Sequence, residues 1–285
     1  MVTGFSRSIS LPLSPRRSSK NSSAASYHIR SVSLPCRSHP LISHLEEQIQ
    51  AVRSWAANAD GSSSWIETGL FQIETLLMAI KEFLHRSQTQ EILCHAISTE
   101  GLLDDVLLLA DIYGSFVSAI VTLKQHQAEV QSAIRRADKI CLVSALRSQR
   151  HVEKETAQLA MCLKNVSKCR SLGFASGASE VEIAGILVEA VNATAVASVA
   201  VFSGVAAMSA TTSSTKTWST MRSFKKLACN SLTKNNVSDD DEFSIVEKLE
   251  EFEMCIRNVE TCSERVFRRL INLRVSLLNI STPTL

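Results

Sequence analysis

The chain contains little proline, and the prolines that it has lie near its ends. Of five prolines in 285 residues, four precede Leu41 and the fifth is Pro283. No proline interrupts a helix between residues 41 and 282, where its ring would remove a backbone donor and clash with the preceding turn. Glycines number only nine and aromatic residues make up 5%, whereas 45% of the residues are hydrophobic. The sequence therefore predicts an all-α fold, an antiparallel bundle of long helices around a substantial core.

Sequence motifs of catalysis and metal binding are also missing. The sequence has no G-x-x-x-x-G-K-[ST], H-E-x-x-H or G-x-S-x-G pattern. Its eight cysteines form no C-x-x-C pair, and its seven histidines show no ligand spacing. We expect a protein that is not an enzyme, with no catalytic residue, no metal site and no cofactor.

Acidic residues are absent from the first 45 positions, where six basic residues give a net charge of +6. The remainder carries 24 bases and 28 acids, and residues 1–37 also contain 11 serines. Such a composition is typical of disordered tails, and it also fits a plastid transit peptide. We predict two regions, a disordered basic Ser-rich tail at 1–37 and a helical bundle domain at 38–283.

Two segments place apolar residues alternately four and three positions apart, and we call these stripes the first and second seams. The first seam comprises Leu102, Val106, Leu109, Tyr113, Phe116, Ile120, Leu123, Gln127, Val130 and Ile134. The second seam comprises Ile245, Leu249, Phe252, Ile256, Val259, Ser263, Val266, Leu270, Leu273, Leu277 and Ile280. A period of 3.5 over more than four heptads is typical of coiled-coil-like helices. We expect the seams to pack against each other within the chain, with packing against a second copy as the alternative.

Weaker patterns predict the other helices. They cover about 41–52, Trp65–Leu84, Thr89–Ile97, Asp138–Arg170, 179–215 and Trp218–Leu227.

The segment Ala190–Thr215 carries no charge and is rich in Ala, Val, Ser and Thr. A helix that is apolar on all sides is either the central member of a bundle or a membrane span. Three glutamates open this helix, which favours the buried position. The alternative is a membrane anchor over residues 186–210, followed by a basic collar at Lys216–Lys226.

Four arginines flank the second seam, at Arg265, Arg268, Arg269 and Arg274. No aromatic interleaving and no recognised nucleic-acid-binding module accompany them. We interpret them as the solvated or ion-paired flank of a packed helix and expect no nucleic-acid partner.

Two stretches resemble a plant-specific family, the BYPASS-like proteins. One is Ser26–Leu41, with the sequence SYHIRSVSLPCRSHPL, followed by Glu-Glu-Gln at 46–48; the other is Phe267–Ser281, with the sequence FRRLINLRVSLLNIS. The resemblance spans roughly residues 26–283 and implies an all-helical protein without known enzymatic activity. Relatives are linked to root and shoot development, where they restrain a long-distance signal that arrests growth.

A six-residue phrase occurs twice in the tail, 23 residues apart. It reads RSISLP at Arg7–Pro12 and RSVSLP at Arg30–Pro35. Both copies resemble the phosphoserine motif to which 14-3-3 adaptors dock, and an arginine three residues before a serine favours a basophilic kinase. The candidate phosphosites are Ser10 and Ser33, and the candidate adaptor-binding residues are Arg7, Pro12, Arg30 and Pro35. The alternative is chance recurrence or local duplication in a low-complexity tail.

Two copies on one tail permit bivalent binding, because these adaptors are dimers. A flexible spacer of this length reaches about 26 Å on average, and bivalency raises avidity about 10²–10⁴-fold. The second copy belongs to the stretch that resembles the family, whereas the first lies in an extension. Ser33 is therefore the stronger candidate of the two.

The sequence supports two functions of different classes. The first is a regulatory or interaction protein that is not an enzyme and whose helical bundle carries a phosphorylatable tail. The second is a membrane-associated protein anchored through residues 186–210. We expect an intracellular, cytoplasmic location, with the membrane and the chloroplast as alternatives; the oligomeric state stays open.

Overall fold

The computed structural model describes residues 40–95, 98–166, 178–213 and 239–282. These ranges form seven helices and no strand, which confirms the all-α prediction. The helices are α1 Pro40–Ala57, α2 Ser63–Leu84, α3 Ser87–His95, α4 Ser98–Arg135, α5 Lys139–Val166, α6 Ala178–Ser213 and α7 Asp239–Ser281. The predicted tail at 1–37 and the predicted helix Trp218–Leu227 lie outside the described residues.

Short polar side chains start two of the helices. The Ser62 hydroxyl accepts a hydrogen bond from the Trp65 amide at 3.1 Å and so caps α2. Asp138 caps α5, because its carboxylate accepts from the amides of Ile140 and Cys141 at 3.0 and 3.1 Å. The hydrogen bonds from Cys141 contribute most to lowering the pKa of Asp138 below its usual value.

The turn between α4 and α5 contains a residue in the left-handed region. Ala137 has a φ of 57°, and the amide of Asp138 donates to the Ala133 carbonyl at 3.0 Å. This is the pattern of a Schellman helix end, at which glycine is the preferred residue. Because this conformation is unfavourable for a residue with a Cβ, Ala137 makes the turn less stable than a glycine would.

The two seams lie on α4 and α7 and pack against each other within the chain, as predicted. Every described seam residue is buried except Ile134, which is half-buried. The helices run antiparallel, since Lys124 Nζ lies 2.5 Å from Glu260 Oε2 and Gln131 donates to Glu253 at 2.6 Å. The period of 3.5 thus corresponds to a real interhelical core.

On its other side, α7 packs against α2, and these two helices run parallel. Asn258 donates to Glu67 Oε1 at 2.8 Å, and Arg265 donates to Glu74 Oε2 at 2.8 Å. Both pairs join residues that are 191 positions apart. The last helix therefore lies between α2 and α4, two helices from the first half of the chain.

Helix α6 forms the centre of the bundle and contacts α1, α2, α4 and α5. Phe202 is fully buried and stacks on Phe116 with ring centroids 3.9 Å apart, and it meets Tyr113 edge-on at 5.3 Å. The Tyr113 hydroxyl forms a hydrogen bond with Ser198 Oγ at 2.9 Å, and burial raises the pKa of Tyr113 well above its usual value. Thr194, also without solvent exposure, donates to the Ala190 carbonyl. Polar groups in this helix are therefore bonded inside the protein, as burial requires.

Tryptophans join α1 to α2. Trp55 and Trp65 stack with centroids 4.5 Å apart, and each indole nitrogen donates to the other residue's carbonyl, at 3.0 and 3.4 Å. Gly69 faces the Trp55 ring, and a Cβ there would lie only 2.0 Å from that ring. The close approach of α2 to Trp55 thus depends on the missing side chain of Gly69.

Candidate functional site

The candidate tail residues lie outside the described part of the chain. They are Ser10, Ser33, Arg7, Pro12, Arg30 and Pro35. The adaptor-docking prediction therefore stays a prediction, and the sites that the structure describes come from the bundle.

Two helices are long and apolar enough to cross a membrane by length and composition alone, over Thr99–Arg135 and Glu182–Ser213. In their most apolar windows, 50% and 61% of the residues are buried inside the protein. A core helix of a soluble bundle has the same length and composition. Ser198 Oγ, on the second of these helices, also forms a hydrogen bond with the Tyr113 hydroxyl on the first at 2.9 Å, so this polar group is satisfied within the protein.

A buried carboxylate binds two arginines between α2 and α7. Glu74 is 7% exposed, and its Oε2 accepts from Arg265 Nε at 2.8 Å. Its Oε1 accepts from Arg269 Nη2 at 3.3 Å, and Arg268 pairs with Glu264 on α7 at 3.0 Å. The ion-paired interpretation is confirmed for these three arginines, whereas Arg274 has a buried Nε without a hydrogen-bond partner among the described residues. The hydrogen bond that Arg265 donates to Glu74 raises the pKa of Arg265, so its guanidinium group stays charged.

Helix α7 also carries two thiols, of which Cys262 contacts the arginine site and Cys255 contacts α6. Cys262 accepts from Arg265 Nη2 at 3.4 Å, and Cys255 lies 3.7 Å from the sulfur of Met208. Burial raises the pKa of both thiols. They are therefore protonated and poorly nucleophilic at neutral pH, in contrast to the lowered pKa of a catalytic cysteine.

A groove of about 420 Å³ lies where α3 meets the last turns of α7. Amide, hydroxyl and imidazole groups line it, among them His85, Gln90, Ser276 and Asn279. Within the described ranges, no group of three or more His, Cys, Asp or Glu side chains is placed to hold a metal ion. The groove offers hydrogen bonds to a polar ligand.

Sequence reasoning missed the Glu74 site, although one signal was present. Glu74 interrupts a run of apolar residues in α2, the segment LFQIETLLMAI at 70–80. A carboxylate inside such a run must find a partner, because burying an unpaired charge is costly. The residues near Glu74 in the sequence do not indicate which side chains pair with it. Its partners, Arg265 and Arg269, lie 191 and 195 residues further along the chain.

Comparison with known proteins gives one match. Residues 69–280 match the family model described as Protein BPS1. The matched range includes almost all of Phe267–Ser281 and begins after Ser26–Leu41. No curated protein and no solved structure is detectably similar to the chain.

Proposed function

The chain belongs to the Protein BPS1 family, and we propose that it is a regulatory and interaction protein of plant development that is not an enzyme. Membership suggests a plant developmental regulator, and this family is not a known family of enzymes. The family match is consistent with the resemblance to BYPASS-like proteins, and it is the single observation that carries the proposal. The finer role, in root and shoot development, rests on that resemblance.

A genetic complementation experiment tests this role. A plant line that lacks the gene is transformed either with the wild-type chain or with the Phe202→Ala variant, whose core packing is impaired. We expect root and shoot growth to differ from wild type in the null line and to recover only with the wild-type chain. Normal growth of the null line, in the absence of a redundant relative, would contradict the proposed role.

The tail supplies a means of recruiting a partner. Phosphorylation of Ser10 or Ser33 adds close to two negative charges and three strong acceptor oxygens, which an arginine cluster on an adaptor binds. A 14-3-3 adaptor recruited in this way would bring the bundle under the control of a basophilic kinase. Both phrases, Arg7–Pro12 and Arg30–Pro35, support this proposal by their sequence.

Adaptor docking is tested with a doubly phosphorylated peptide of residues 1–40 and with the full chain in cell extract. We expect the Ser10→Ala/Ser33→Ala variant to lose adaptor binding. A matched control, Ser14→Ala/Ser26→Ala, alters tail serines that lack an arginine three positions before them and should bind normally. Equal adaptor capture by wild type and by the Ser10→Ala/Ser33→Ala variant refutes docking through these phrases.

Membrane association through residues 186–210 is the second candidate, favoured by the length and composition of this helix. Cell fractionation separates the two candidates. An anchored chain stays in the membrane pellet after carbonate extraction, whereas a soluble bundle is released. The hydrogen bond between Tyr113 and Ser198 supports release, because it occupies a polar group inside the bundle.

The compartment follows from fluorescent fusions at the C-terminus, made with and without residues 1–25. We propose a cytoplasmic location for both fusions. Plastid import that depends on residues 1–25 would identify the segment as a transit peptide and would remove Ser10 from the mature protein.

A further inference from the structure

The outer face of α2 beside the Glu74 site carries two exposed apolar side chains. Phe71 is 61% exposed and Met78 is 40% exposed. They lie seven residues apart with Glu74 between them, and this spacing places all three on one face of the helix. Because Glu74 bonds to α7, the apolar pair borders the two arginines.

Among the described residues, the centre of this face carries an excess of positive charge. The carboxylate of Glu74 pairs with two guanidinium groups, those of Arg265 and Arg269. The side chain of Arg265 is 44% exposed and that of Arg269 is 39% exposed. The neighbouring charges of Arg268 and Glu264 cancel, since these two residues pair with each other. An anionic group arriving from outside therefore meets guanidinium groups that are already oriented by a buried carboxylate.

The same face continues along α7 towards its N-terminal half. Met254 is 65% exposed and lies one turn before Asn258, which bonds to Glu67 of α2. Aromatic, methionine and arginine side chains are enriched where proteins bind one another, and methionine adapts to partners of varied shape. We call the surface formed by Phe71, Met78, Arg265 and Arg269 the α2–α7 face.

We propose that the α2–α7 face binds an amphipathic acidic helix of another protein. Phe71 and Met78 lie about 10 Å apart along the axis of α2, a distance that two apolar residues of a partner helix, also seven apart, can match. An aspartate or glutamate between those two residues then reaches the arginines. Apolar contacts supply affinity, and the guanidinium groups select for an acidic partner. The inference does not depend on the N-terminal tail or on its phosphorylation.

The probe is a phage-displayed library of random peptides of roughly 16 residues, enough for four helical turns. The library is selected on the immobilised full-length chain, and the affinities of selected peptides are measured by fluorescence anisotropy. We expect selected peptides to be acidic and to bind Phe71→Ala/Met78→Ala at least about tenfold more weakly than wild type. Arg269→Gln should weaken binding and reduce its dependence on salt.

A matched control comes from α5, where Met161 is 66% exposed. Met161→Ala should bind the selected peptides within about twofold of wild type. Unchanged thermal unfolding of each variant shows that a loss of binding reflects the face itself.

Three results would overturn the proposal. The first is that the selected peptides carry no excess of acidic residues. The second is that the selected peptides bind Phe71→Ala/Met78→Ala as tightly as they bind the wild-type chain. The third is that selection enriches no peptide from the library. Sedimentation velocity tests the competing occupant, a second copy of the chain. If the wild type is a dimer and Phe71→Ala/Met78→Ala is a monomer, the face mediates self-association instead.

Discussion

Replacing Phe202 tests whether α6 is the core of a bundle. The side chain is fully buried, with its ring stacked on Phe116 and set edge-on to Tyr113. Truncation of a buried phenylalanine to alanine costs about 3–5 kcal/mol, because it removes apolar burial and leaves a cavity. For a domain of this size the unfolding midpoint should fall by roughly 6–20 °C. We expect Phe202→Ala to show a loss within these ranges.

The measurements are urea unfolding and thermal unfolding of the purified full chain, both followed by far-ultraviolet circular dichroism. Val196→Ala is the matched control, since Val196 lies on the same helix but is 45% exposed. Its free energy of unfolding should change by less than about 0.5 kcal/mol. The reasoning is refuted if Phe202→Ala costs less than about 1 kcal/mol, or if both variants cost the same.

Three further changes test local features of the bundle. Gly69→Ala should lower the free energy of unfolding by about 1–3 kcal/mol or more, because its Cβ would meet the Trp55 ring at 2.0 Å. Gly185→Ala within α6 is the control, since nothing lies within 4 Å of the added Cβ there and only helix propensity changes. Ala137→Gly should raise the free energy of unfolding by about 1 kcal/mol, since φ is 57° there, and no gain in thermal melts would contradict the turn geometry. Asp138→Asn keeps the cap but removes its charge, so wild type should be the more stable at neutral pH. Because the folded-state pKa of Asp138 is lowered, this advantage should begin to fall near the unfolded-state pKa of about 4 and be lost once the pH is below the folded-state pKa. Unfolding curves measured at a series of acidic pH values check the trend.

The seams were predictable because their pattern is long and their burial is one-sided. Leu102 to Val130 and Leu249 to Ile280 are buried at the predicted positions, including Gln127 and Ser263. Gln127 is tolerated because its amide donates to the Leu249 carbonyl across the interface at 3.3 Å. A regular spacing of apolar residues indicates which face of a helix is buried. Helices α4 and α7 each have one face that is mainly buried, so their spacing was readable.

Helix boundaries were predicted less well. The short third helix begins at Ser87, two residues before the predicted start at Thr89, and its predicted end at Ile97 lies outside the described residues. Helix α4 begins at Ser98, before its first seam residue. The residue at which a helix begins depends on its capping residue and on the preceding turn. Neither of these appears in the spacing of apolar residues, so the spacing does not predict the boundary.

The role of α6 could not be derived from its sequence, because a helix covered on most sides has no polar face to reveal its orientation. Its small residues suit both lipid and protein neighbours. The structure adds a contact that the sequence of α6 does not show, the pairing of Ser198 with Tyr113, 85 positions earlier. The pairing of Glu74 with Arg265 and Arg269 could not be predicted either. A contact between residues that are far apart in the sequence produces no pattern in the residues around each of them.

The position of α7 has a consequence for how the chain is made. This helix fills the space between α2 and α4, yet it is synthesised about 150 residues after α2. At 5–20 residues per second, the apolar faces that α7 covers stay open for roughly 10–40 s after α2 emerges from the ribosome. A nascent chain in this state is a substrate for chaperones, and one released before residue 239 lacks the helix that covers the α7-facing side of the first seam. A transcript that ends early should therefore yield a protein that aggregates or is degraded, even though six of the seven described helices are present.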